Sequence, residues 1–166
     1  MLKFYVNGIE TSVIVDDYLP VLKGTSKLAF ARSDKEELWV SLLEKGWAKL
    51  HGSYAATSGG LPDFAANHLA GVPSDALRHE ENSDIDEFWN LLKSADRRKF
   101  TIMAASLGEG EQENPEGIIS GHAYSVISTH EFILRDEKIR LLKLRNPWGS
   151  GEWAGDWSDN SEKWTP

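Results

Sequence analysis

The 166 residues carry 18 Lys and Arg against 26 Asp and Glu, a formal net charge of −8, with 40% hydrophobic residues and no cysteine. A length of this order predicts a single domain over residues 1–166. The missing cysteine excludes a disulfide-stapled module, a Cys-ligated zinc site and a thiol nucleophile within the chain. An acidic chain whose one Arg pair is Arg97-Arg98 lacks the clustered cations that nucleic acid or an anionic membrane requires. No run approaches the roughly 18 apolar residues of a membrane span, and Met1-Leu2-Lys3-Phe4 opens no signal-like segment, so a cytoplasmic location is expected.

Along the chain, Lys3–Val6 and Ile9–Val15 are β-prone runs joined by Asn7-Gly8, the pair that tolerates the positive φ angles of a tight hairpin turn. A helix is predicted from about Asp34 to Leu50, with Ser33 and Glu36 in capping-box spacing and Trp39, Leu42, Leu43, Trp47 and Leu50 on one inward face. A short helix is predicted near Pro62–Leu69. The acid-rich stretch Asp75–Glu87 reads as a solvated loop running into a helix that Ser83 caps and that turns Ile85, Phe88, Trp89 and Leu92 inward. Three strands follow, over Phe100–Ala105, His122–Ile127 and Lys138–Leu144, with a polar, mobile loop over Gly108–Gly117. Two or three helices beside adjacent strands, without βαβ alternation, indicate an α+β fold with antiparallel sheet.

Two elements can carry chemistry. In Gly121-His122-Ala123-Tyr124-Ser125-Val126 a histidine opens an apolar strand directly after a loop, where an imidazole can face a cleft while the strand holds its backbone. Taken alone, a histidine of this kind is more often a satisfied structural residue. The second element, Arg145-Asn146-Pro147-Trp148-Gly149, ends the last strand, and Pro147 biases Asn146 towards extended backbone. An Asn oxygen there can accept the Nδ1–H of a histidine and fix its tautomer, leaving Nε2 to exchange a proton with a nucleophile. Trp148 can cover that bond, although a strand-ending turn with a packed tryptophan accounts for the same residues.

These two elements, followed by Glu152-Trp153 and Trp157-Ser158-Asp159, resemble the second half of the protease core of the calpain family, papain-like cysteine proteases. Upstream, Val15-Asp16-Asp17-Tyr18-Leu19-Pro20, Leu42-Leu43-Glu44-Lys45, Ala48-Lys49-Leu50-His51-Gly52-Ser53-Tyr54 and Ser58-Gly59-Gly60 match in the same order. The resemblance implies the β-rich half of a papain-like core, with His122 as general base and acid, Asn146 orienting its ring, Trp148 shielding the pair and Gly121 offering its carbonyl to a peptide in the cleft. It also implies a regulatory Ca²⁺ site to which Glu152 and Asp159 contribute carboxylates, incomplete in this chain. The nucleophilic cysteine is implied to lie on a Cys-bearing lobe of the same parent chain, so that this chain reads as a fragment, inactive alone, of a calcium-regulated endopeptidase acting on protein or peptide substrates. A calpain-like peptide-binding or scaffold domain without the nucleophile is the alternative. Trp153, Trp157 and Trp164 read as packing residues.

Overall fold

The computed structural model describes residues 1–33, 35, 37–79, 84–108 and 110–164, which form two compact units, Met1–Ala76 and Leu77–Pro166. The fold is α+β, with three α-helices and two small antiparallel sheets among the described residues. No helix among the described residues is long and apolar enough to cross a membrane.

In the first unit β1 (Leu2–Val6) pairs with β2 (Ile9–Val13) in the expected hairpin. Asn7 and Gly8 take φ of 52° and 76°, the left-handed turn that a side chain larger than Asn resists. Helix α1 (Trp39–His51) begins later than the apolar spacing suggests. Asp34 and Glu36 lie outside the described residues, and Ser33 serves a local turn instead: its Oγ accepts from the backbone N–H of Lys35 and donates to Glu37. Trp39, expected inward, is 61% exposed; α1 meets the hairpin two turns further along, at Gly46. A Cβ on Gly46 would stand 2.4 Å from Leu2 Cδ1 and 3.2 Å from the ring of Phe4, which is fully buried and also meets Trp47. Lys45 Nζ donates to the carbonyls of Asp16 and Tyr18, and Lys49 Nζ to that of Ile14, so the chain leaving β2 is tied to α1 by cations on otherwise apolar stems. A single 3₁₀ turn (Ala55–Thr57) precedes α2 (Pro62–Ala70), which starts on proline and stops at Gly71 in a left-handed conformation (φ 65°).

The second unit holds α3 (Ile85–Arg97) and the sheet β3 (Ile102–Ala105), β4 (Ala123–Leu134) and β5 (Glu137–Arg145), in the order β3-β4-β5. Ser83, the expected cap of α3, lies outside the described residues. Asp84 fills that role, accepting from the N–H groups of Asp86 and Glu87 at 2.9 and 3.0 Å. Ile85 is 73% exposed, not inward as expected, since it sits in the first turn ahead of the residues that meet the sheet. Trp89 is buried. Strand β4 extends well beyond the predicted run to Leu134, whereas β5 agrees with its predicted run to within one residue at each end; the turn between them is Arg135-Asp136, both with positive φ (49° and 68°). Trp157 packs edge-on against Phe132 and Trp164, in agreement with a packing role for these rings.

Candidate active site

His122 stands one residue before β4 and Asn146 one residue after β5. Because the two strands pair antiparallel with Ser125 opposite Arg145, the start of one meets the end of the other, and register alone brings together residues 24 apart in sequence. The backbone at His122 is fixed by Ser106, just past β3. The Ser106 hydroxyl accepts from His122 N–H at 3.0 Å and donates to the Ile119 carbonyl, while Ser106 N–H donates to the His122 carbonyl at 2.9 Å. Tyr124 completes the mount: its hydroxyl accepts from Ile119 N–H at 2.9 Å and its ring lies edge-on to the imidazole, centroids 5.0 Å apart.

The imidazole is only 5% exposed, and both of its nitrogens are engaged. Nε2 lies 2.9 Å from Asn146 Oδ1 and Nδ1 lies 2.9 Å from Glu111 Oε1. The amide of Asn146 cannot be reversed without cost, because its Nδ2 donates to the Ser150 carbonyl at 3.0 Å and its Oδ1 also accepts from Trp148 N–H at 3.0 Å. An oxygen therefore faces Nε2, and Nε2 is the donor. This corrects the expectation from sequence, which gave Nδ1 to Asn146 and left Nε2 free: the nitrogen turned away from Asn146 is Nδ1. The ring of Trp148 approaches the imidazole at 4.8 Å between centroids, tilted by 58°, with half of its own surface exposed.

Gly121 has φ of 59°, and a Cβ there would lie 3.0 Å from the Gly108 carbonyl oxygen and 3.3 Å from that of Gly110. Both the backbone conformation and the close approach call for glycine. The polar segment Gly108–Gly117, expected as a mobile loop, is tied at several points. Ser120 Oγ donates to the carbonyls of Gly110 and Gln112, Glu113 bridges to Ile119, and Asn114 Oδ1 accepts from the N–H groups of Glu116 and Ile118. Glu111 was not singled out by the sequence, since it is one of several acids in this segment and its neighbours offer no distinguishing spacing. Ser106 was likewise unremarked.

Glu152 and Asp159 are both exposed. The backbone between them leans on the polar loop: Ala154 N–H donates to the Glu116 carbonyl at 2.8 Å, and Gly117 passes so close to the Glu152 carbonyl that no Cβ fits. Calcium takes about six to eight oxygens, and among the described residues no three His, Cys, Asp or Glu side chains gather to hold a metal ion.

A family model described as calpain family cysteine protease matches residues 1–166. Calpain-12 of Homo sapiens is 43% identical over 154 residues, 92% of this chain and 21% of that protein. Calpain-9 of Homo sapiens is 36% identical over 167 residues, covering 98% and 24%. The calpain-type cysteine protease ADL1 of Oryza sativa subsp. japonica is 38% identical over 172 residues, covering 99% and 8%. The chain spans about a quarter or less of the length of these relatives.

Proposed function

Because the chain belongs to the calpain family of cysteine proteases, we propose that residues 1–166 together are the His/Asn lobe of a calcium-regulated cysteine endopeptidase whose thiol lies on another lobe of the same parent. One observation carries this reading: a nearly buried imidazole whose Nε2 is committed to the oxygen of an amide that is itself held by two further hydrogen bonds. A structural histidine does not need its partner's orientation secured twice; a ring that must present one nitrogen reproducibly does.

In this role His122 is the general base and acid. Its Nδ1 receives the thiol proton, the thiolate attacks the scissile carbonyl to form an acyl-enzyme, and Nδ1–H then protonates the departing amine. Water hydrolyses the acyl-enzyme with the same nitrogen as base. Asn146 is a positioning residue that keeps Nε2–H directed and the ring in plane. Trp148 screens the Nε2–Oδ1 bond from water on one side, which strengthens it, and Gly121 offers its carbonyl to an extended peptide. With no cysteine of its own the chain does not hydrolyse peptides by this route. Glu152 and Asp159 contribute to a regulatory Ca²⁺ site that needs further ligands.

Peptide hydrolysis by the full-length parent, with and without Ca²⁺ and beside a His122→Ala variant, tests the reading. Calcium-dependent cleavage that the variant loses is the expected result. A folded, calcium-loaded parent that cleaves nothing overturns it in favour of a peptide-binding or scaffold domain.

A further inference from the structure

Glu111 holds the one ring nitrogen that the reaction needs. The Nε2 of His122 is spent on Asn146, so proton exchange has Nδ1 alone to work through, and Nδ1 is 2.9 Å from a carboxylate oxygen of the same chain. We propose that Glu111 is an intrachain placeholder for the nucleophile: it pairs with His122 Nδ1 in the position a thiolate must take, and turnover requires it to leave. This inference rests on the protease reading and adds to it a residue and a step.

The chemistry follows from the donors and acceptors present. Nε2 donates to an amide oxygen that only accepts, and Nδ1 faces a carboxylate, so the ring and Glu111 share one further proton. With that proton on the ring, the pair is imidazolium and carboxylate, the charge arrangement of the imidazolium and thiolate that begins catalysis. Nδ1 then already bears a hydrogen and cannot accept one from a thiol. Exchange balances simply: the carboxylate withdraws with that proton and releases it to solvent, Nδ1 is left with a free lone pair, and it then receives the proton of the thiol.

The backbone around Glu111 supports the same reading. The carbonyls of Gly108 and Gly110 lie against Gly121, so the segment that delivers Glu111 also covers the residue proposed to meet the peptide. The contact is built to be reversible: the Glu111 side chain is 52% exposed, whereas the imidazole it reaches is 5% exposed. Water is at hand to receive the carboxylate, and an exposed partner contributes little to holding the pair together.

Two readouts on the full-length parent test this. In the first, carbethoxylation of His122 by diethyl pyrocarbonate is followed by mass spectrometry, with exposed His130 as internal reference; Glu111→Ala is expected to speed modification of His122 at least threefold, and Glu116→Ala to leave it unchanged. This readout needs no turnover, so an unchanged rate in Glu111→Ala overturns the placeholder whether or not the parent is a protease. In the second, Glu111→Gln is expected to raise kcat/KM for a peptide by about twofold to fivefold, the worth of a half-exposed ion pair released before attack. An unchanged or lowered kcat/KM overturns the requirement that Glu111 leave. Faster carbethoxylation in a parent that cleaves no peptide supports the contact and defeats the protease reading alone.

Discussion

Thr129 gives both its backbone N–H and its hydroxyl to the same carboxylate oxygen of Asp96, at 2.8 and 3.0 Å. The last turn of α3 is thereby fastened to the middle of β4, in a unit whose helix and sheet also meet through the Lys93–Glu131 and Asp86–Arg140 ion pairs and through Arg140 over the Trp89 ring. These bonds from Thr129 hold the Asp96 carboxyl below its ordinary value of 3.8, the N–H making the larger contribution and the hydroxyl adding to it.

A folded-state pKa below the unfolded one gives stability that is present above the unfolded value and disappears as pH falls through the folded one. Asp96→Asn should therefore lower Tm at pH 7 by several degrees, and its deficit relative to the parent sequence should shrink as pH falls below 3.8. Thermal melts of both proteins across that range check this. A deficit that stays constant with pH would remove the carboxylate from the explanation.

His51 also has a lowered pKa, but from burial rather than from a hydrogen bond to its charged form. It lies against Trp47 and stacks on His68, ring centroids 5.4 Å apart, and neither His51 Nε2 nor His68 Nδ1 has a hydrogen-bond partner among the described residues. Burial, with a smaller contribution from the charge of His68, lowers the pKa of His51 from 6.5. The unfolded chain then takes up a proton before the folded one does, so stability is whole above pH 6.5 and declines as pH falls below it. Melts between pH 7.5 and 5 should show this decline, and His51→Gln should flatten it. An equal slope in the variant would assign the decline to other groups.

Phe4 supports the first unit. It is fully buried, and α1 reaches it at the Cβ-free position Gly46. Phe4→Ala should cost about 3–5 kcal/mol, and Phe4→Leu markedly less, both read by urea unfolding. A cost below about 1 kcal/mol for the alanine variant would mean that the hairpin is not packed as described.

The positioning role proposed for Asn146 makes a kinetic prediction. Asn146→Ala in the full-length parent should lower kcat by about tenfold to a hundredfold, the worth of a hydrogen bond to a charged ring, while KM and Tm change little. A loss of Tm matching the loss of rate would identify Asn146 as a structural residue.

How far these features could be read from sequence depended on whether the signal was local. Asn7-Gly8 announced its hairpin because few residue pairs accept two positive φ angles. Arg135-Asp136 closes a longer hairpin with the same backbone signs and carries no such mark. The predicted strand stopped at Ile127 since Ser128, Thr129, His130 and Glu131 look like a loop, yet each pairs with β5. The pairing of His122 with Asn146 was legible from flanking motifs. The choice of ring nitrogen was not, because it turns on the Ser150 carbonyl and the Trp148 N–H, backbone groups that no side-chain pattern encodes.

The knot at Ser106 separates two mechanical tasks. The hydrogen bonds that hold the backbone of His122 run to Ser106 and through it to Ile119, and none involves an atom of residues 110–117. The segment that carries Glu111 is fastened through Ser120, the Glu113–Ile119 bridge, the Ala154 N–H and its own internal turn. The imidazole thus stands on a post, and the acidic segment is a flap hung beside it. Changes of charge in the flap can therefore retune access to the ring while the backbone of His122 keeps its own bonds to Ser106.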